Sequence, residues 1–173
     1  MRFIEASNNN IRELKGHLEE LLYADFSNNE TISLKALAKS KDMRVLILDN
    51  TRLQDLQSFH NFKYLLYLSM RNADLQNINA DFLGDCQYLL YLNISYNMYS
   101  TMPDLPFLIL RELDLSGNDF QNFRLSSWCP MLRVLRLNNC KIEKLAPFTS
   151  APFLEHICLH NNLIAGIWTH FDF

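Results

Sequence analysis

The feature that most limits how this chain can fold is a spacing. Apolar residues recur in the pattern L-x-x-L-x-L-x-x-N-x-L about every 22 residues along the whole sequence. The clearest copy runs from Leu110 to Phe120, L-R-E-L-D-L-S-G-N-D-F. Leu89 to Tyr99 and Leu154 to Ile164 repeat it, and weaker copies begin at Met1, Leu21, Met43, Leu65 and Leu132. The units therefore start near residues 1, 21, 43, 65, 89, 110, 132 and 154. Positions 4 and 6 of each unit are apolar, as at Leu46 and Leu48 or Leu113 and Leu115. A spacing of two is the period of a strand, so both side chains share one face. One such strand cannot bury that face alone, whereas stacked neighbours can, and the core must run along the stack.

Position 9 adds a second constraint. It holds Asn9, Asn29, Asn97, Asn118 and Asn162, with Thr51, Ala73 and Cys140 in the remaining units. A chain that turns sharply after every strand leaves backbone groups unpaired inside, and an Asn amide supplies both donors and an acceptor for them. Ala73 has neither, so the fourth unit is expected to be the weakest rung. Positions 11 and 14 return to the core, and Pro103, Pro106, Pro130, Pro147 and Pro152 all fall outside the strands. The unit from Leu65 is long enough for about two helical turns near Asn79 to Cys86. The stretch Met102-Pro103-Asp104-Leu105-Pro106 reads as extended.

This register resembles the leucine-rich repeat family over the whole chain. The unit length resembles the intracellular class typified by a regulatory subunit of protein phosphatase 1. The resemblance implies an α/β solenoid: a right-handed superhelix with a curved parallel β-sheet on the concave face and short 3₁₀, helical or extended convex segments. With 173 residues and no linker or low-complexity stretch, residues 1–173 read as one domain.

Composition narrows the functional classes. A net charge of −3 argues against general nucleic-acid binding. No apolar run is long enough to span a membrane, and Met1 to Asn10 contains no stretch of signal-peptide length. The four cysteines, Cys86, Cys129, Cys140 and Cys158, do not cluster at either end. Cys86 and Cys129 hold equivalent places two units apart, roughly 10 Å at the spacing of stacked strands, too far for a disulfide. They read as buried apolar side chains in a reducing compartment. Of the glycosylation sequons, Asn29-Glu30-Thr31 uses a ladder residue and Asn93-Ile94-Ser95 lies on the sheet face. The expected location is therefore inside the cell, in the cytoplasm.

Positions 3, 5 and 7 are expected to face solvent on the open side of the sheet. Tyr67 and Tyr91 at position 3, Arg71 at position 7 and the adjoining Tyr96 have the composition of an interface centre. Asp114 and Arg136 at position 5 are expected to orient a partner. Glu5, Asp25 and Asp49 at one end, against Arg133, Arg136, His156 and His160 at the other, suggest a bipolar face. The simpler alternatives are cross-strand aromatics that support the sheet and ordinary solvated charge. His156, Cys158 and His160 alternate along one strand, but at roughly 7 Å spacing they do not converge on a metal, and Arg136 opposes a cation. Exposed strand polarity accounts for them, and no metal or cofactor is expected. No phosphate loop, nucleophile elbow or carboxylate pair is present, so no enzymatic activity is expected.

The expected role is a non-catalytic protein–protein interaction module, an intracellular scaffold, adaptor or regulatory subunit that binds a protein on the concave face. Two alternatives stand beside it: a structural subunit buried in a large assembly, and a fragment of an extracellular recognition receptor. The first and last units lack polar caps, so further chain or neighbouring subunits are expected to cover both ends.

Overall fold

The computed structural model describes residues 1–53, 56–76, 83–102, 107–125 and 128–166. Among the described residues twelve short strands follow one another: β1 (Phe3–Glu5), β2 (Tyr23–Asp25), β3 (Thr31–Ile32), β4 (Val45–Ile47), β5 (Arg52–Leu53), β6 (Tyr67–Ser69), β7 (Tyr91–Asn93), β8 (Glu112–Asp114), β9 (Asn122–Phe123), β10 (Val134–Arg136), β11 (Lys144–Leu145) and β12 (His156–Cys158). Eight of them form one parallel sheet in the order β1-β2-β4-β6-β7-β8-β10-β12. Every pairing matches position 3 with position 3: Tyr67 lies beside Tyr91, Tyr91 beside Glu112, and Glu112 beside Val134. One strand per unit, in sequence order and without slippage, is the leucine-rich repeat solenoid.

The convex side is short and irregular. The 3₁₀ turns Leu37–Lys39 and Leu56–Asn61 bridge two units, and β3 pairs with β5 while β9 pairs with β11. There is no α-helix among the described residues. Of the helix expected near Asn79 to Cys86, Leu83 to Asp85 form turns, and residues 79–82 lie outside the described residues. Ile78, Asp81, residues 103–106 and the Ile167–Phe173 end also lie outside them.

The core is one cluster from Leu18 to Ala151. Position 4 contributes Leu46, Leu68, Leu92, Leu113 and Leu135, and position 6 contributes Leu48, Met70, Ile94, Leu115 and Leu137, all buried. Each such side chain stabilises the fold by about 1.5–3 kcal/mol relative to exposure. Position 11 adds Leu75, Tyr99, Phe120 and Ile142.

Position 9 bonds as its chemistry requires. Asn118 Nδ2 donates to Leu115 O at 2.8 Å in its own coil and to Ile94 O at 3.1 Å in the preceding one, while its Oδ1 accepts from Tyr99 N. Asn29, Asn97 and Asn162 repeat this arrangement. Thr51 reaches Phe26 O through its hydroxyl, and Cys140 Sγ reaches Leu115 O. Ala73 is buried and has no side-chain donor to offer.

A further regularity sits one residue earlier. Asn8, Asn28, Asn50, Asn72, Tyr96, Asn139 and Asn161 all have φ between 52° and 59°, and Gly117 has φ 72°. Position 8 is thus the left-handed residue that reverses the chain, which Asn and Gly tolerate best. The exposed asparagines form a second ladder: Asn28 Nδ2 donates to Asn8 Oδ1, Asn50 to Asn28, Asn72 to Asn50 and Asn161 to Asn139, at 2.7–3.1 Å. Tyr96 and Gly117 interrupt it.

Candidate functional site

Two groups of the expected contact residues stand at opposite ends of the central strands. At the strand entry, Tyr67 and Tyr91 stack with ring centroids 4.2 Å apart and planes 1° from parallel. The in-register pairing of β6 and β7 dictates this contact, since position 3 of each strand lies opposite the other. Both rings are half-buried, and burial, reinforced by the Tyr67 hydroxyl, pushes the Tyr91 phenol above its ordinary value. The pair presents an apolar surface with two hydroxyl tips.

At the strand exit, the Arg71 guanidinium lies over the Tyr96 ring, 3.9 Å from its centroid. The other neighbour of that ring is Gly117, where an added Cβ would stand 2.8 Å from Tyr96 Cδ1 and Cγ. Arg71, Tyr96 and Gly117 come from three consecutive units and form a layered stack where the asparagine ladder is broken. Position 3 and position 7 are about 13 Å apart along a strand, so the two groups are the ends of one surface rather than one cluster.

The floor between them narrows the expectation that positions 5 and 7 face solvent, which Glu5, Arg71 and His160 meet and the central coils do not. Ser69, Asn93, Ser95 and Ser116 are buried. The strands last three residues, after which the position 7 N–H needs a new acceptor. Position 5 supplies it: Asp25 Oδ1 accepts from Ser27 N, Asn93 Oδ1 from Ser95 N and Asp114 Oδ1 from Ser116 N, at 2.9–3.0 Å. Asp49 does the same across strands, accepting from Ser69 Oγ at 2.6 Å and Arg71 N at 2.9 Å. Asp114 is therefore first a turn residue. Ser95 Oγ has no hydrogen-bond partner among the described residues.

The bipolar face is also corrected. Arg136 Nη1 pairs with Glu112 at 3.1 Å, and Arg133 pairs with Glu155. Each arginine meets a carboxylate one coil away, which cancels most of the positive end. His156 Nε2 and Cys158 Sγ lie 3.4 Å apart, and no group of three acidic, His or Cys side chains suited to a metal occurs among the described residues. Cys86, Cys129 and Cys140 are buried and unbridged, and Cys158 is partly exposed. Burial pushes the Cys86 and Cys129 thiols up to about 12. The sequon residue Asn29 is fully buried and Asn93 nearly so.

No family model and no curated protein sequence matches the chain. Solved structures match it by shape. A leucine-rich repeat protein of Leptospira interrogans superposes with TM-score 0.71 at 24% identity, over 84% of this chain and 38% of that one. The functional domain of InlJ from Listeria monocytogenes, which includes a cysteine ladder, gives 0.79 at 16% identity, over 97% and 36%. A chain of the Toll–Spatzle complex of Drosophila gives 0.75 at 22% identity, over 90% and 23%. The chain thus spans less than two-fifths of each of these, and the likeness establishes the fold.

Proposed function

We propose that this leucine-rich repeat solenoid is a non-catalytic protein-recognition module, working inside the cell as a scaffold, adaptor or regulatory subunit. Its partner lies on the concave face, between the Tyr67–Tyr91 stack and the Arg71–Tyr96–Gly117 stack. The observation that carries this reading is Tyr96. It occupies the left-handed position with φ 55°, where the other units place Asn or Gly. A bulky side chain there costs about 1–2 kcal/mol. Such strain persists where a side chain serves contact rather than stability. Its ring is held between an arginine and a glycine and stays 42% exposed, a pre-ordered aromatic anchor of the kind that dominates interface energy.

The paired Arg136–Glu112 and the turn-capping Asp114 form the rim, where polar groups fix direction more than affinity. Unbridged buried thiols and two inaccessible sequons support the intracellular location. The Toll–Spatzle complex keeps the extracellular receptor segment as the second reading, since a related solenoid in it accompanies a protein ligand. Affinity capture from cell extract tests the site, with wild type, Tyr67→Ala/Tyr91→Ala and Tyr96→Asn as baits. The proposal expects a partner retained by wild type and lost by both variants. Equal retention by all three baits would remove the concave face from consideration. Imaging of the tagged chain tests the location, and retention in the secretory pathway would favour the receptor reading.

A further inference from the structure

The residue just before each repeat start forms an exposed row along one edge of the solenoid. In the second and third units it is Glu20 and Asp42; from the fourth onwards it is Tyr64, Tyr88, Ile109, Met131 and Phe153. These five are 36–60% exposed. The row is continuous because the neighbouring backbone is laddered: Leu66 N donates to Arg44 O, Leu90 N to Leu66 O, Arg111 N to Leu90 O, Arg133 N to Arg111 O and Glu155 N to Arg133 O, at 2.8–2.9 Å. The Tyr64 and Tyr88 rings stack across it, 5.7 Å apart. Five rungs at about 4.8 Å make a strip roughly 19 Å long. With Leu108 beside it, half-exposed side chains of about 150–250 Å² each leave on the order of 500 Å² of apolar surface. That is near the upper end for a free monomer and suits one side of a small transient interface.

We infer that this edge is a second docking surface, for an amphipathic helix with an acidic flank. The charge beside the strip supports that occupant. Lys63 precedes Tyr64, Arg111 lies two residues past Ile109, and neither has an ionic partner among the described residues. The Arg44 guanidinium sits 4.9 Å over the Tyr64 ring. These cations gather on a chain of net charge −3. A helix presents one apolar side chain per turn of about 5.4 Å, close to the rung spacing, so about 13 residues span the strip. Glu20 and Asp42 end the apolar row and repel an acidic helix beyond it. A second copy places the same unpaired cations, Lys63 and Arg111, on both sides of the contact. A flat anionic membrane would also cover Glu20 and Asp42, which a helix of this length leaves outside.

Labelled synthetic helices of about 14 residues test this by fluorescence anisotropy. The probes are a Leu/Glu amphipathic peptide, the same composition with its leucines scattered around the helix, and a Leu/Lys peptide. Vesicles of phosphatidylcholine with phosphatidylserine are assayed by co-sedimentation. The Leu/Glu peptide is expected to bind at micromolar concentration. Tyr88→Ser/Met131→Ser should weaken it about tenfold or more. Arg111→Glu should weaken it and admit the Leu/Lys peptide, while Tyr91→Ala on the concave face should leave it unchanged. Melting of each variant confirms folding. The inference is overturned by equal binding of the scattered peptide, by indifference to the edge substitutions, or by the absence of peptide binding. It is also overturned by vesicle binding in place of peptide binding, or by self-association that Met131→Ser abolishes.

Discussion

Tyr96 lies with its ring flat against Gly117, so close that a methyl group on Gly117 would stand 2.8 Å from two of its ring carbons. The asparagine ladder stops at these two residues. Replacing Tyr96 by Asn restores a residue suited to φ 55° and offers Asn72 a new rung. The substitution removes strain of about 1–2 kcal/mol and gives up a cation–π contact with Arg71 of about 0.5–1 kcal/mol. Thermal melting should therefore show a rise in Tm for Tyr96→Asn while partner binding falls. A lower Tm would make the stack a structural element.

Gly117→Ala should destabilise the fold by about 1–2 kcal/mol, since its φ of 72° disfavours any Cβ and Tyr96 occupies the space. In the Tyr96→Asn background the steric part of that loss should disappear. A double-mutant cycle by denaturant unfolding measures the coupling, and strict additivity would deny the contact.

Asn118→Ala should cost about 1–3 kcal/mol, because it leaves Leu115 O, Ile94 O and Tyr99 N without their side-chain partner. Ala73→Asn should be neutral or stabilising, since it adds the donor and acceptor missing from the fourth rung. Paired thermal melts check both.

The buried thiols give a pH dependence of defined sign. Cys86 and Cys129 stay protonated in the fold, with values raised from 9.0 to about 12 by burial, while in the unfolded chain they ionise normally. Their stabilising contribution is whole below about pH 8.5 and is lost as pH rises from there to about 12. Tm should be flat up to about pH 8.5 and fall above it, and Cys86→Ala/Cys129→Ala should flatten the fall. In the native state Cys158 should alkylate first, with Cys86, Cys129 and Cys140 protected.

Much of this was written in the sequence. The spacing of positions 4, 6 and 9 assigned every strand of the main sheet its register, because burying one face in step leaves no other alignment. The Tyr67–Tyr91 pair and the Ala73 gap followed directly. Position 8 was equally legible: Asn8, Asn28, Asn50 and Asn72 are spaced like the core asparagines, and Tyr96 stands out among them. Solvent exposure was harder to read, since strands of three residues end before position 7 and the side chains at positions 5 and 7 turn to serve the backbone. The Arg133–Glu155 and Arg136–Glu112 pairs depend on which neighbour lies one coil away, which a residue's position within its own unit does not show. The edge row from Tyr64 to Phe153 precedes each repeat start, outside the letters that define the repeat.

The proposal is that recognition rests on the concave aromatic side chains, with Tyr96 at one end and the Tyr67–Tyr91 stack at the other, and the affinity of the captured partner for Tyr91→Ala measures it most directly. Calorimetry should give a loss of about 2 kcal/mol or more against wild type. Loss of the Tyr67 stack should lower stability by only about 1 kcal/mol. Lys144→Ala on the convex side should bind as wild type does. Wild-type affinity in Tyr91→Ala, together with loss in Lys144→Ala, would contradict the account and move the function to the outer surface.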